Sequence, residues 1–470
     1  MIIRWVCEDC KRKWLYPLQT CLYCKKELTR QKGTRAKVVA MTTVHIPSIG
    51  HPIVPYHVLL LQDEHGNKEP RKSMKSYKIG DMFELHAAKT DSAVVLQRIK
   101  YDAKEALAQA CGLLRNVDLK KGDKVFIKIQ CTNLHGHSIS PLILDALLIW
   151  LSGKGIVDIV IGEHMLTDEV QDVAAKAGLI KVCEQHQIKF IDISKEEWVE
   201  KGKIKIAKNV EQRKLISLAA MKTHAQWGVV GTTENLIRCA DAATQLRLYE
   251  EGFEKNLPLL LNHLKPILCI GDASMGVHCH NPGSAEPAFL RMLLASKESA
   301  LLDAAFCEVG MLPLPTYLKN VATAAKSEIS IKKIEIVGYE VDALKRPLKK
   351  AERLSPHAFI EIIDAGTDPK TTQHALVLCQ KMIGVGKSPL ALVIGKFTQD
   401  MIADKERCVL FGAQAISRGK QMGVQAVAEF TEEMPALQKQ VLLKTILEDP
   451  NKRRIGIADI FKVKLAEFGN

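Results

Sequence analysis

An apolar run in the middle of the chain ends abruptly in side chains that can do chemistry. Residues 215–221 are apolar apart from Ser217, which is typical of a buried parallel strand, and Lys222, Thr223 and His224 follow directly. Ligands bind beyond the carboxyl ends of strands in open parallel sheets, so we expect an active or binding site here. We predict that Lys222 holds a carboxylate or thioester carbonyl, that Thr223 contacts the substrate and that His224 transfers a proton.

Two Cys-x-x-Cys sequences near the N-terminus form the most specific motif. Cys7 and Cys10 make up one pair, and Cys21 and Cys24 the other. Two such pairs can place four thiolates tetrahedrally around one metal ion, and because cysteine fills every position the ion is expected to be structural. Zinc is the preferred ion, and a rubredoxin-like iron site with the same ligands is the alternative.

Histidine, cysteine and acidic residues also follow other predicted strands. These residues are Cys131, His135, His137, Glu163, His164, Asp272, His278, Cys279 and His280. If the strands are parallel, the residues share one edge of the sheet. There His135, His137, His278 and His280 could bind a second transition metal, and Asp272 could take part in acid–base catalysis. The alternative is that these are ordinary surface histidines and that Asp272 caps a helix. For Asp303, a structural hydrogen-bond acceptor is an equal alternative to a functional role.

The elements that must position these residues alternate along the chain. Between 103 and 320, helical patterns alternate with strand patterns, which predicts a mostly parallel sheet with helices on both faces. Strands are expected at 124–128, 156–161, 189–193, 215–221 and 266–272, and helices at 103–114, 141–152, 170–177 and from Thr232 past Leu246. Thr232 and Thr233 are expected to cap that last helix, and 273–283 to form a loop. No Gly-x-Gly-x-x-Gly follows any of these strands, so a dinucleotide site is not indicated.

The flanking regions have different patterns. Short β-strands predicted at 35–44, 56–62 and 93–99 suggest a small antiparallel barrel over 34–100. Residues 355–470 alternate again and predict a smaller α/β domain, with strands at 390–395 and 407–412 and a turn at Gly384–Lys387. The expected division is therefore a ribbon at 1–33, a barrel at 34–100, a main α/β domain at 103–345 and a C-terminal α/β domain at 355–470.

Composition excludes several classes of protein. The chain has 470 residues, of which 47% are hydrophobic and 25% charged, as in ordinary globular proteins. There is no apolar stretch of about 18 residues, and Cys7 and Cys10 precede any signal-peptide core, so we expect a cytoplasmic protein without a membrane span. The other nine cysteines of the 13 are scattered, which indicates reduced thiols rather than disulfides.

Positive charge is concentrated near the N-terminus. The formal net charge is +13, and residues 1–100 hold 18 Lys and Arg but 9 Asp and Glu. Such a surface attracts an anionic partner, whether nucleic acid or the phosphates of a carrier such as coenzyme A. The alternative is a solvated lysine-rich face.

Two resemblances to known families add to this interpretation. The cysteine pairs, together with Pro55-Tyr56 and Lys78–Met82, make residues 1–90 similar to domain-of-unknown-function family 35. That resemblance implies a rubredoxin-like ribbon followed by an OB-fold, in proteins associated with thiolases and other acyl-CoA enzymes. The binding of single strands by OB-folds uses aromatic platforms, and only Tyr56, Tyr77 and Phe83 are available here.

Residues 105–320 resemble domain-of-unknown-function family 362, which has no generally assigned reaction. The residues that carry this resemblance are Lys128, Ser140-Pro141, Lys222–His224, Asn235-Leu236, Asp272–Gly283, Asp303 and Gly310. Glu234 stands where the family commonly has lysine, and the chain lacks the cysteine motif of a ferredoxin-type cluster found in many members.

These features together predict a cytoplasmic metalloprotein enzyme that acts on an organic acid or acyl-CoA thioester. Its catalytic residues would be Lys222, His224 and Asp272, and Lys128, Thr223 and Asn235 would bind the substrate. Coenzyme A would be part of the substrate, and a thiolase-like or other acyl-CoA enzyme would be the partner. The alternative is a non-catalytic scaffold or nucleic-acid-binding protein that uses the ribbon and the OB-fold.

Overall fold

The computed structural model describes residues 2–132, 138–165, 169–224, 227–250, 253–278, 286–324 and 334–350, and five short strands between 362 and 467. These residues form a mixed α/β protein with several separate sheets. The central sheet is the largest and is mostly parallel.

The N-terminal ribbon is a three-stranded antiparallel sheet. Its strands are β1 (Ile3–Cys7), β2 (Lys13–Trp14) and β3 (Leu28–Lys32), in the order β2-β1-β3. Cys7 ends β1, and the turns that follow β1 and precede β3 carry the other three cysteines of the motif. The sheet thereby fixes the positions of both Cys-x-x-Cys turns.

A four-stranded antiparallel sheet follows the ribbon. It contains β4 (Ala36–Val44), β5 (Tyr56–Asp63), β6 (Lys68–Ser73) and β7 (Met82–Phe83), in the order β6-β5-β4-β7. One face is apolar, and its buried side chains Val38, Leu59 and Leu61 pack with Ile2 of the ribbon. The strands predicted at 35–44 and 56–62 are therefore confirmed.

The strand predicted to close this barrel belongs elsewhere. It forms β8 (Val94–Arg98), as expected, but it pairs with strands of the large sheet. Four successive residues, 94–97, are buried in β8. A strand that is covered on both faces belongs inside a sheet with helices on each side, and not in a small sheet with one face in solvent. The assignment of residues 93–99 to the small barrel is therefore wrong.

The central sheet has ten strands. Besides β8 they are β9 (Lys124–Ile129), β10 (Asp158–Glu163), β11 (Lys189–Asp192), β14 (Lys214–His224), β15 (Gly228–Val230), β16 (Leu268–His278), β17 (Glu286–Ala288), β18 (Met292–Ser296) and β19 (Ile336–Gly338). The main path runs β11-β10-β9-β14-β16-β18-β8-β19, and β15 and β17 extend it as hairpin partners. All strands of the path are parallel except β18, which is antiparallel to both of its neighbours. A separate hairpin comprises β12 (Trp198–Lys201) and β13 (Ile204–Ala207).

Helices cover both faces of this sheet and create two hydrophobic cores. Ile127, Ile216 and Ile270 point to one core, whereas Phe126, Leu215 and Cys269 point to the other. The described helices are α1 (Ala103–Leu113), α2 (Pro141–Gly153), α3 (Val170–Lys176), α4 (Leu179–Gln185), α5 (Lys208–Glu211), α6 (Thr232–Asn235), α7 (Ala242–Glu250), α8 (Phe253–Leu261), α9 (Ser299–Val309), α10 (Thr316–Ala324) and α11 (Val341–Leu344). The two-sided burial explains why the strands read as continuous apolar runs in the sequence.

The strand order reverses between β9 and β14. From β9 the chain builds outward to β10 and β11, and then returns to place β14 and β16 on the other side of β9. Connections that leave in opposite directions open a crevice at the carboxyl ends of the two strands. The topological switch point of this sheet therefore lies between β9 and β14.

Two central strands are longer than predicted. β14 continues beyond Met221 to His224, and β16 continues beyond Asp272 to His278, through part of the predicted loop. Each extension pairs with its own hairpin strand, β15 or β17. The register between β14 and β16 also shifts, from Ala220 opposite Asp272 to Lys222 opposite Val277.

The single helix predicted from Thr232 is wrong. The chain forms the short α6, a 3₁₀ turn at Leu236–Cys239 and then α7. Ala240, between the last two, is extended and bridges to Ile206 of β13. This tertiary contact interrupts a sequence whose local pattern is continuously helical.

The C-terminal part contains a five-stranded sheet. Its strands are β20 (Ile362–Asp364), β21 (Ala391–Ile394), β22 (Cys408–Phe411), β23 (Ala426–Glu429) and β24 (Lys464–Glu467), and only the last pairing is antiparallel. The strands predicted at 390–395 and 407–412 are confirmed. The helices predicted in this part and the turn Gly384–Lys387 lie outside the described residues.

None of the helices within the described ranges is long and apolar enough to cross a bilayer.

Candidate functional site

The four ribbon cysteines converge on one point. Sγ of Cys7 lies 3.3 Å from Sγ of Cys24, and Sγ of Cys10 lies 3.6 Å from Sγ of Cys21. All four sulfur atoms lie within 4.8 Å of one another. Tetrahedral thiolates around zinc, with bonds of about 2.3 Å, would stand roughly 3.8 Å apart. The cluster therefore fits one metal ion such as zinc.

The electrostatics of these thiols also favour a cation. A backbone hydrogen bond at Arg12 lowers the pKa of Cys10 to about 6. The hydrogen bond to Cys10 raises the pKa of Cys24 to about 12, because Cys24 then shares its proton with a neighbouring thiolate. A bound divalent ion would replace that proton and hold all four sulfurs as thiolates.

Lys128 lies at the switch point, completely enclosed by protein. Its Nζ donates to Glu163 Oε1 at 2.5 Å, to Asn235 Oδ1 at 2.9 Å and to the carbonyl of Ile129 at 2.6 Å. An ammonium has three N–H donors, so every donor of Lys128 already has an acceptor in the protein.

The partners of Lys128 continue this network across the crevice. Asn235 Nδ2 donates to the carbonyl of Lys128 at 2.9 Å and to Ser217 Oγ at 3.0 Å. Ser217 Oγ in turn donates to the carbonyl of Thr232 at 2.9 Å, and Glu163 Oε2 accepts the Cys131 N–H at 3.0 Å. The network ties β9, β10, β14 and α6 together, and it brings the predicted residues Lys128 and Asn235 into direct contact. Ser217 was missed, and the only signal for it was a hydroxyl inside an apolar run.

Asp303 caps the adjacent helix α6. Its carboxylate accepts the Thr232 N–H at 3.0 Å, the Thr232 hydroxyl at 2.8 Å and the Thr233 N–H at 2.9 Å. The threonine side chains therefore do not cap this helix as predicted, because a buried carboxylate from α9 occupies that position. Burial raises the pKa of Asp303 to about 6. Gly231 leaves room for this contact, since a Cβ there would lie 2.7 Å from Asp303 Oδ1.

Asp272 joins the end of the regular part of β16 to the start of α2. It accepts the backbone N–H of Ser140, the N-cap of α2, at 2.7 Å. Its other oxygen accepts the N–H and the hydroxyl of Ser274, at 2.9 and 2.6 Å. Burial raises the pKa of this carboxyl group. Both oxygens thus hold the polypeptide at the carboxyl edge of the sheet.

Lys222, Thr223 and His224 occupy the hairpin extension of β14. Lys222 is buried opposite Val277 and Val230, and Thr223 is also buried. Side chains alternate along a strand, so Lys222 and His224 share one face and Thr223 lies on the other. Nδ1 of His224 accepts the backbone N–H of Trp227 at 3.2 Å. The proton of the neutral imidazole is therefore on Nε2.

The remaining histidines of the predicted second metal site are only partly described. His135, His137 and His280 lie outside the described residues. Nδ1 of His278 accepts the Lys349 N–H at 2.9 Å, and its Nε2 lies 3.6 Å from Glu286. In the part of the chain that the structure describes, the ribbon cysteines are the one group of such side chains that could hold a metal ion.

His164, another predicted strand-end residue, faces the interior. Gln245 Nε2 lies 2.9 Å from His164 Nδ1 and 2.8 Å from the carbonyl of Ala240. Burial lowers the pKa of His164, which favours a neutral ring at physiological pH.

A cavity of about 500 Å³ lies between the ribbon, the small sheet and α1. Charged side chains line it, but several are paired with one another. Glu69 binds Lys100 and Arg4, and Glu105 binds Arg30 and Lys32. This cavity lies beside the N-terminal units and not at the switch point.

Comparison with known proteins supports the family predicted for the central α/β part of the chain. Residues 125–308 match Domain of unknown function (DUF362), which confirms the predicted resemblance of this part of the chain. No curated protein matches the chain. Among solved structures, the Ltp2-ChsH2(DUF35) aldolase is similar with 19% identity, over 19% of this chain and 75% of that chain, at a TM-score of 0.16. The DUF35 component in the name of that protein is consistent with the predicted resemblance of residues 1–90 to domain-of-unknown-function family 35.

Proposed function

We propose that this protein, whose central residues match a family without an assigned reaction, is an enzyme acting on an organic acid or acyl-CoA thioester. The observation that carries the proposal is the switch point between β9 and β14, with polar side chains gathered at its carboxyl edge. Small-molecule sites of open α/β sheets lie at such positions.

Unpaired polar atoms near this edge support a ligand there. Gln130 follows β9, and its Oε1 is buried and has no hydrogen-bond partner among the described residues. The same holds for the hydroxyl of Thr223 in the extension of β14. Since an unsatisfied buried polar atom costs roughly 1–3 kcal/mol, a ligand or an ordered water would satisfy each of them. Thr223 lies on the face of β14 opposite to Lys222 and His224, so its partner would be a group other than the one that Lys222 holds.

In this proposal Lys222 holds the carboxylate or thioester carbonyl through its ammonium group. His224, whose neutral ring carries its proton on Nε2, donates that proton to the substrate or takes it back. Asp272 positions the start of α2 at the edge of the site, because both of its oxygens are engaged there. Lys128 and Asn235 are already hydrogen-bonded to other groups of the protein, and either would have to give up one of these bonds to contact the substrate. Their main role is therefore to form the floor of the crevice.

The ribbon would hold zinc as a structural ion. The small sheet, as an OB-type unit, would dock the protein onto an acyl-CoA enzyme in the cytoplasm. The zinc assignment rests on the four converging thiols, and the docking role on the position of the small sheet beside the ribbon.

Thermal-shift measurements with acyl-CoA thioesters and dicarboxylates test the site. A ligand that stabilises the wild type should have no effect on Lys222→Ala or His224→Ala, although both variants remain folded. Lys214→Ala is the matched control, because Lys214 lies at the other end of the same strand. The same ligand-induced shift in all four proteins would rule out this site.

Elemental analysis tests the metal centre. We expect one zinc ion per full-length chain, and none in a variant carrying Cys10→Ser and Cys24→Ser. Iron in place of zinc would favour the rubredoxin-like alternative. A metal ion that persists in the double variant would show a second metal site, for which the histidines after the central strands are the predicted ligands.

A further inference from the structure

Four basic side chains gather where the small sheet meets the carboxyl edge of the central sheet. Lys72 lies on β6, Arg98 ends β8, Arg291 precedes β18 and Arg346 follows α11. Arg98 pairs with Met292, and the N–H of Ile99 donates to the carbonyl of Arg291 at 2.8 Å, so Arg98 and Arg291 lie at the same end of neighbouring strands. Arg346 reaches the same loop, since its NH1 donates to the carbonyl of Phe289 at 3.0 Å.

None of these four side chains forms an ion pair among the described residues. The nearby acids are engaged elsewhere. Asp342 binds Lys345 at 2.8 Å, and Glu340 accepts hydrogen bonds from Ser73 and Met74. In the neighbouring cavity, which Arg98 also lines, Lys100 and Lys32 differ because they are paired with Glu69 and Glu105.

Lys72 is the most unusual member of the cluster. Its Nζ is shielded from solvent and has no hydrogen-bond acceptor among the described residues, and it lies 4.4 Å from the centroid of the Tyr56 ring. Burial lowers the pKa of Lys72, the charges of Arg98 and Arg346 lower it further, and the charge of Asp342 acts weakly in the opposite direction. Asp342 forms its ion pair with Lys345, so the ammonium group of Lys72 lacks an anion in direct contact among the described residues.

The four charges also act on one another. Burial and then the charges of Arg98 and Arg291 lower the pKa of Arg346. Burial and then the charges of Lys72, Arg346 and Arg98 lower the pKa of His51. The folded chain therefore holds several cations within range of one another at an electrostatic cost, which a bound anion would offset.

We infer that Lys72, Arg98, Arg291 and Arg346 form a binding site for a phosphate-bearing small molecule. Arginine forks match the oxygens of a phosphate group in pairs, and a lysine adds a point charge. The exposed side chains of Ile49 and Phe289 beside the cluster offer apolar contact for the remainder of such a ligand.

The position of the cluster fits a ligand that approaches the sheet edge. Arg98 pairs with Met292, and Met292 pairs with Ala273, the neighbour of Asp272. Two strand spacings, or about 10 Å, therefore separate Arg98 from Ala273, beside the point where the regular part of β16 ends. A coenzyme A thioester would place phosphates at the cluster and its acyl group toward the edge, but the anion site does not depend on the proposed reaction.

A small phosphorylated molecule fits better than nucleic acid. The cluster is compact and includes an enclosed ammonium, whereas single-stranded nucleic acid needs an extended basic groove with aromatic platforms. Tyr56 and His51 supply one ring pair here, with centroids 5.6 Å apart.

Calorimetric titration of the full-length protein with pyrophosphate, ADP and coenzyme A, in phosphate-free buffer of constant ionic strength, tests the inference. We expect binding of at least one of these that weakens by roughly tenfold or more in Arg98→Gln and in Lys72→Met, as for the loss of a charge-assisted hydrogen bond. Lys37→Met, which removes an exposed lysine from the same small sheet, should bind as the wild type does.

Arg346→Gln is a second arginine variant in case Arg98→Gln fails to fold, because Arg346 lies outside the strands. No binding of any of the three probes by the folded wild type, or an equal loss of affinity in Lys37→Met, would overturn the inference. Tighter binding of an oligonucleotide than of pyrophosphate, with a steep dependence on salt, would assign the cluster to nucleic acid instead. Binding at the cluster that survives Lys222→Ala would separate this site from the proposed active site.

Discussion

Lys128 and Lys72 both carry an ammonium group that is shielded from water, but their surroundings are opposite. Lys128 has a carboxylate and two further oxygen acceptors within 2.9 Å. Lys72 has the face of a tyrosine ring and two neighbouring cations, Arg98 and Arg346, that form no ion pairs among the described residues. Burial of a charge is tolerated in a stable fold only when something compensates it.

The difference in surroundings separates a charge that stabilises the fold, at Lys128, from a charge that serves to bind a ligand, at Lys72. At Lys128 the protein itself supplies the compensation, so removal of the lysine should damage the fold. At Lys72 no described carboxylate forms an ion pair with the ammonium group, and only the Tyr56 ring and the more distant charge of Asp342 act in its favour, so its removal should damage binding while leaving the fold intact. The following substitutions test this distinction.

The largest effect is expected for Lys128→Met. This substitution leaves Glu163 buried without its counter-ion, which typically costs about 3–5 kcal/mol of the free energy of unfolding. Urea unfolding of both proteins measures the difference. In the double variant Lys128→Met with Glu163→Leu much of the loss should be recovered, because no unpaired charge remains. A single variant as stable as the wild type would mean that Lys128 is not the structural charge inferred here.

A smaller effect, with a defined pH dependence, is expected for Asp303. The pKa of its carboxyl group is raised to about 6 in the folded protein, so folding favours the protonated form. Its stabilising contribution is therefore complete below about pH 4, near the pKa of the unfolded chain, and is lost as the pH rises through about 6. The loss amounts to roughly 3 kcal/mol, at about 1.36 kcal/mol per unit of pKa shift.

Asp303→Asn removes this titration. We expect the difference in unfolding free energy between wild type and variant to change by that amount between pH 4 and 7, with the wild type relatively weaker at pH 7. Urea unfolding at several pH values measures it. A difference that is constant with pH would mean that the hydrogen bonds from Thr232 and Thr233 fully offset the cost of burying the ionised carboxylate. Asp303 would then resemble Lys128, whose buried charge is compensated by the protein.

The smallest effect, and one of opposite sign, is expected for Lys72→Met. Relief of repulsion from Arg98 and Arg346 should stabilise the ligand-free protein by about 0.5–1 kcal/mol, within the range of weak surface electrostatics. The melting temperature in phosphate-free buffer should rise slightly, and less so at high salt. A clear loss of stability would make Lys72 a structural residue and remove the contrast with Lys128.

Local sequence patterns were sufficient for much of the fold. Helical and strand periodicity predicted β9, β10, β11, α1 and α2 within a few residues, because each buries a continuous or alternating apolar surface. The same patterns failed where a distant partner decides the outcome. β8 looks like a barrel strand but pairs with β18, and the helix expected from Thr232 is broken where Ala240 contacts β13.

The candidate sites divide in the same way. The sequence alone determined the four ribbon cysteines, whose short spacing fixes their convergence, and the polar end of β14 at Lys222 to His224. Only the tertiary structure decided that Asp303 caps α6, that Glu163 neutralises Lys128 while Asn235 accepts a hydrogen bond from it, and that Lys72 lies near Arg98 and Arg346. The physical reason is distance along the chain. A turn or a strand is set by neighbouring residues, whereas the partner of a buried charge is set by the packing of elements that are distant in the sequence. Lys128 is 35 residues from Glu163 and 107 from Asn235, and Asp303 is 71 residues from Thr232.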